Sequence, residues 1–157
     1  VDLITKTLKR NKVIFCGNGG SASDALHFSA ELLGKYLKDR KALPAICLNS
    51  NVSAITAISN DYSYDDVFSR QLEGIGKSND LLIAISTSGK SKNILKAISI
   101  AKKKNIKVVV LTGINNFKLP VDICINVPAE RTDRVQELHI STLHLICELI
   151  EKNVYRI

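Results

Sequence analysis

The sequence predicts an α/β domain: a doubly wound, five-stranded parallel sheet flanked by helices. Three observations carry the prediction. Five apolar runs of strand length recur along the 157 residues, each run is continuous rather than alternating, and helix-like segments separate them. Continuous hydrophobicity marks strands covered on both faces, which is the condition of parallel strands between two helical layers. A chain of this length with 45% hydrophobic and 24% charged residues has the balance of one domain with a core of its own.

The expected strands are Val13 to Cys16, Ala45 to Leu48, Leu81 to Ile85, Val108 to Leu111 and Ile123 to Ile125. Between the third and fourth, Ile94, Leu95, Ile98 and Ala101 oppose Lys92, Lys96 and Lys103 at helical spacing. A long final helix is expected over residues 132–152. Its apolar residues Val135, Leu138, Leu143, Leu145, Ile146 and Leu149 exceed one narrow stripe, so it is expected to pack on the sheet and on a second chain. No linker or repeat interrupts the pattern, and residues 1–157 read as a single domain.

Composition narrows the function. The 22 basic and 15 acidic side chains give a net charge of +7, but the basic residues are spread over many segments and aromatics are only 5%. An anionic small ligand fits this better than nucleic acid. No apolar run approaches the roughly 20 residues of a membrane span, and the first residues do not have the basic, apolar and small-residue pattern expected of a signal peptide. Cys16, Cys47, Cys124 and Cys147 sit in apolar stretches without CxxC spacing, so buried thiols in a reducing, cytoplasmic setting are expected.

In an open parallel sheet, ligands sit beyond the carboxyl ends of the strands. The first strand runs into Gly17-Asn18-Gly19-Gly20-Ser21 and a helix, and the third into Ser86-Thr87-Ser88-Gly89-Lys90-Ser91 and a helix. Glycines let backbone approach a ligand, and hydroxyls with free N–H groups at a helix start suit a phosphate. Either segment alone reads as a helix cap and a short turn; the pair points to an anion. Gly17 to Ala22 also fits G-x-G-x-x-A, but the second strand ends in Leu48-Asn49-Ser50 without the acidic ribose partner. No nucleotide cofactor is expected.

Asp24, His27, Glu31 and Lys35 share one face of the helix after Ser21, with His27 and Glu31 one turn apart. Such a stripe is ordinarily solvated. Here it could supply a base or metal ligands. On the final helix, Gln136 reads as the partner of Asp133 in a D-x-x-Q capping box, and His139 lies a turn further on. His144, in Leu143-His144-Leu145-Ile146, reads either as a core histidine or as a tuned functional group. Gln136 and His144 are separated by about 12 Å along the axis and roughly 80° around it. If both served one site, they would come from different subunits.

Taken together, Gly17 to Ser21, Asp24 to Phe28, Glu31-Leu32, Asn60-Asp61, Ser86 to Ser91 and Thr132 to Ile140 resemble the phosphoheptose isomerases of the sugar isomerase (SIS) domain superfamily. The resemblance runs in order over nearly the whole chain. It implies a cytoplasmic homotetramer that converts D-sedoheptulose 7-phosphate to D-glycero-D-manno-heptose 7-phosphate, the entry to ADP-heptose for the lipopolysaccharide core. It implies one zinc ion per subunit on His27, Glu31, Gln136 and His144. Substrate contacts would fall on Asn18, Gly19, Gly20, Ser21, Glu31, Asn60, Asp61, Ser86, Thr87, Ser88, Ser91 and Gln136, with Glu31 and His144 catalytic. Two departures are expected: the family's amino-terminal helical region is largely absent, and the 113–120 segment is shorter than the family's loop. A non-catalytic SIS domain that binds a replication initiator, or a sugar-phosphate sensor, is the alternative; the presence of both Glu31 and His144 favours the enzyme.

Overall fold

Every strand of the sheet runs parallel to its neighbours, in the order β2-β1-β3-β4-β5. The computed structural model describes residues 1–114, 117 and 119–154. Along the chain lie α1 (Asp2–Leu8), β1 (Val13–Gly17), α2 (Gly20–Leu33), β2 (Ala45–Cys47), α3 (Val52–Asp61), a 3-10 turn (Tyr64–Asp66), α4 (Val67–Ile75), β3 (Leu81–Ile85), α5 (Lys92–Lys103), β4 (Lys107–Thr112), β5 (Ile123–Asn126) and α6 (Thr132–Val154). This is the five-stranded, single-domain architecture the apolar runs predict.

The alternation of strand side chains divides the core into two layers. Val13, Phe15, Leu81, Ile83, Ile85, Val109 and Leu111 face α1, α2 and α6, where Ile4, Phe28, Leu32, Leu143, Cys147 and Ile150 complete one cluster. Ile14, Cys16, Leu82, Ala84, Val108 and Val110 face α4 and α5, meeting Phe68, Leu72, Ile94 and Ile98. β1 and β3 pair along all five residues, Val13 with Leu81 through Gly17 with Ile85. Their carboxyl ends therefore lie side by side at the point where strand order reverses.

The last strand departs from expectation. β5 is an edge strand with Ile123 and Cys124 exposed, so Cys124 is not the buried thiol its apolar neighbours suggest. The other three cysteines are buried. Residues 115, 116 and 118 of the 113–120 segment lie outside the described residues, so its expected shortness is not addressed. Among the described residues no helix is long and apolar enough to cross a membrane.

Candidate active site

The carboxyl ends of β1 and β3 each turn into a helix through a loop shaped by glycine. A Cβ on Gly17 would stand 2.3 Å from the Ser21 carbonyl oxygen, so no larger residue fits where the chain doubles back into α2. Gly19 has φ +56° and leaves α2 without a side-chain cap. Asn49, just past β2, brackets Gly17: its Oδ1 accepts from the Gly17 amide at 3.2 Å and its Nδ2 donates to the Gly17 carbonyl at 2.9 Å.

After β3, Gly89 takes φ +64° and its amide donates to Ser86 Oγ at 3.2 Å; Ser86 Oγ lies 3.4 Å from Ser91 Oγ. Thr87 offers its carbonyl to the Gly113 amide, fixing this loop to the end of β4. The loops are joined by the reciprocal amide pair of Asn18 and Asn93, 2.9 Å in each direction, and Tyr64 donates its hydroxyl to Asn18 Oδ1. Two helices thus open side by side with hydroxyls and uncapped amides, an arrangement suited to a phosphate. Ser21 is buried beneath the first loop, and the exposed Asn60 and Asp61 hydrogen-bond to each other at the end of α3. Tyr64 and Asn93 went unnoticed in the sequence; the one cue for Asn93 is a poor helix former in the first turn of α5.

A second cluster lies on the flank. His27 Nε2 sits 2.9 Å from His144 Nε2 and 3.2 Å from Glu31 Oε1. The three ligand atoms lie within 4.8 Å of one another. α2 supplies His27 and Glu31 one turn apart, and α6 supplies His144 from 117 residues away. The pairing follows from helix register. Gln136 lies against Gly20 and His144 against His27, so seven residues along α2 match eight along α6 and the two helices run side by side in the same direction. The cluster is therefore about 10 to 16 Å down α2 from the glycine loop, at 1.5 Å per residue.

Several expectations are redistributed by this packing. Gln136 does not close a capping box: α6 already begins at Thr132, Asp133 pairs with Arg131 at 2.7 Å, and the Gln136 amide occupies the space a Gly20 side chain would fill. It stands with the anion loops rather than with His144 in the same chain. The supposed solvated stripe is split, because Asp24 turns inward with Oδ2 lacking a partner, while Lys35 falls beyond the end of α2. Burial raises the Asp24 pKa, and the nearby His27 partly offsets that. His144 is half-exposed in the cluster; the core histidine of α6 is His139, wholly buried, whose pKa burial lowers against the opposing effect of the Thr112 backbone.

Two imidazoles and a carboxylate with convergent ligand atoms form a donor set that suits zinc, with a fourth position left for water or substrate. Atoms around a tetrahedral zinc at ~2.05 Å stand about 3.3 Å apart. The separations from His27 Nε2 are close to that before any ion is considered.

The sheet is a parallel 2-1-3-4-5 sheet of the doubly wound class, and the SIS domain family matches residues 1–113. Among curated proteins, the chain is 51% identical to the phosphoheptose isomerase of Helicobacter pylori over 98% of this chain and 81% of that one. It is 47% identical to that of Akkermansia muciniphila, over 98% and 82%. The solved phosphoheptose isomerases of Neisseria gonorrhoeae and Francisella tularensis superpose with TM-scores of 0.88 and 0.91 at 40% and 35% identity, each covering 96% of this chain and 82% of the other. The chain belongs to the phosphoheptose isomerase family and is an aldose–ketose isomerase.

Proposed function

We propose that the enzyme interconverts D-sedoheptulose 7-phosphate and D-glycero-D-manno-heptose 7-phosphate through an enediolate, opening the route to ADP-heptose for the lipopolysaccharide core. The observation that carries the chemistry is the convergence of Glu31, His27 and His144 on one flank of a sugar isomerase domain. Isomerisation needs a base for a proton on carbon beside a carbonyl, and an acid for the oxygens. Glu31 removes the proton from one of C1 and C2 and returns it to the other. His144 gives a proton to the carbonyl oxygen as the enediolate forms and recovers one from the neighbouring hydroxyl. The phosphate is held where α2 and α5 begin, by Ser86, Thr87, Ser88, Ser91 and the Asn18 to Ser21 turn, with Asn60, Asp61 and Gln136 toward the sugar hydroxyls.

His27, Glu31 and His144 would hold a zinc ion, which when bound polarises the sugar oxygens. A carboxylate that ligates is a weaker base and an imidazole nitrogen that ligates carries no proton, so Glu31 and His144 serve both roles only if they exchange between them. Gln136, which lies against Gly20 rather than beside His144, would reach the fourth position only from a neighbouring chain. Leu26 and Leu33 on α2 and Leu138, Leu145 and Leu149 on α6, the two helices that carry the cluster, are exposed, and they offer apolar surface suited to a second copy in a cytoplasmic homotetramer. Contact there would bring the anion end of one chain toward the flank cluster of the next.

The test is turnover of sedoheptulose 7-phosphate followed by NMR, with and without zinc, for the wild type and for mixed oligomers of Gln136→Ala and His144→Ala chains. Heptose 7-phosphate formation, and partial recovery in the mixture, are expected. A folded oligomer without turnover would transfer the weight to a binding role. Turnover in the wild type with no recovery in the mixture would return the whole site to one chain.

A further inference from the structure

The loop leaving α2 is fastened to α6 by a buried carboxylate. Glu151, 2% exposed, accepts from the amides of Tyr36, Leu37 and Lys38 at 3.0–3.1 Å and from Arg40 Nε at 2.8 Å. Arg40, its side chain 1% exposed, continues into the end of α2, donating to the carbonyls of Glu31, Leu32 and Gly34. One ion pair thus ties together the turn that carries Glu31, the loop that carries Tyr36 and the helix that carries His144. Glu151 lies seven residues beyond His144, two turns along the same face of α6.

The consequence is the placement of Tyr36. Its ring lies over the His144 imidazole, with centroids 5.7 Å apart and planes inclined by 20°. The His27 ring meets His144 edge-on from another side, at 5.1 Å and 74°. An imidazole on an open helix face has two rotatable bonds and several rotamers. Between a stacked phenol and an edge-on imidazole, the ring that directs Nε2 toward His27 is confined to one of them.

We propose that Tyr36 is a positioning residue for His144: its ring, carried on backbone that the Glu151 carboxylate holds, keeps the imidazole in the orientation that faces His27 and Glu31. The inference rests on the reading of His144 as a reacting group. It assigns the work to the aromatic face of Tyr36 and none to its hydroxyl, so phenylalanine replaces it and an aliphatic residue does not.

The experiment compares Tyr36→Phe and Tyr36→Leu in the full-length enzyme, measuring kcat, KM and the proton NMR signal of the His144 C2–H, assigned by its loss in His144→Gln. Tyr36→Phe is expected to keep kcat within about twofold, and Tyr36→Leu to lose roughly tenfold in kcat with KM little changed, since orientation rather than ground-state binding is lost. The His144 signal should move in Tyr36→Leu, where the ring current is removed, and stay near its wild-type position in Tyr36→Phe. Equal losses in both variants, a rise in KM alone, or an unmoved signal in the leucine variant would each overturn the proposal. Wild-type turnover in His144→Gln would overturn the reading beneath it, independently of where the signal lies.

Discussion

Gly20 and Gln136 share one volume: a Cβ on Gly20 would lie 2.3 Å from Nε2 of Gln136 and 2.5 Å from its Cδ. The first turn of α2 and the second turn of α6 are locked in register by an absent side chain. Gly20→Ala should therefore displace the Gln136 amide, which is the flexible end of its side chain, at a stability cost of about 1 kcal/mol. Catalysis should suffer more than stability. The measurement is a double-mutant cycle of kcat/KM, in which Gln136→Ala adds little once Gly20→Ala is present. Full additivity would show that the contact does not matter to the reaction.

Glu31→Gln keeps the shape of the cluster and removes the proposed base. Turnover should fall by roughly 10²- to 10⁴-fold, with an unchanged circular dichroism spectrum and melting temperature. His144→Gln should lose turnover to a similar degree. Retained activity in either would remove that residue from the chemistry.

His27→Ala leaves Glu31 and His144 in place but breaks the donor set, since His27 Nε2 is the atom between the other two. Zinc content by elemental analysis should drop from one ion per chain to well below that. A variant that retained a full complement would place the ion elsewhere.

The Glu151 carboxyl should define an acid limit to stability. Burial alone would raise its pKa, but the amides of Leu37, Tyr36 and Lys38 and the Arg40 guanidinium outweigh burial and hold it below the usual carboxylate range. A depressed folded value stabilises the fold above the ordinary carboxylate range, and this stability is lost as the pH falls through the depressed value. Urea midpoints measured from pH 7 downward should show that loss in the wild type. Glu151→Gln should be destabilised by about 3 kcal/mol at neutral pH, because Arg40 is left buried without its partner, and should lose that part of the acid dependence.

His139 works in a different window. Its folded pKa is lowered, so the native protein keeps it neutral and the unfolded chain binds the extra proton. Stability from this source is complete at neutral pH and above, and declines as the pH drops below about 6.5. Replacing His139 with leucine should flatten the urea midpoint between pH 7 and pH 5 while leaving the Glu151 dependence at lower pH. An unaltered profile would show that the buried imidazole takes up its proton as readily in the fold as in the unfolded chain.

What was legible in the sequence was what is local. The turns from Gly17 to Ser21 and from Ser86 to Ser91 could be read because a strand end, a glycine and a helix start are contiguous. His27 and Glu31 could be read because one helical turn separates them. His144 had no such cue: its partners are over a hundred residues away, and only the family resemblance joined it to them. Periodicity assigns a face but not what covers it, which is why Asp24 seemed solvated and is buried. The same limit explains Cys124, since an edge strand and a central strand can carry the same apolar run. Gln136 matched a capping pattern that failed because the helix starts a residue before Asp133.

The parallel pairing of α2 with α6 has a bearing on how activity arises during synthesis. The Asn18–Asn93 pair that joins the two loops is available once α5 has formed, whereas the flank cluster waits for a helix near the far end of the chain. Until that helix is made, the layer of the core that Leu143, Cys147 and Ile150 complete stays open. Docking of the last helix, a contact of high sequence separation and therefore a slow one to form, is the event that completes that layer and brings His144 to His27 at once.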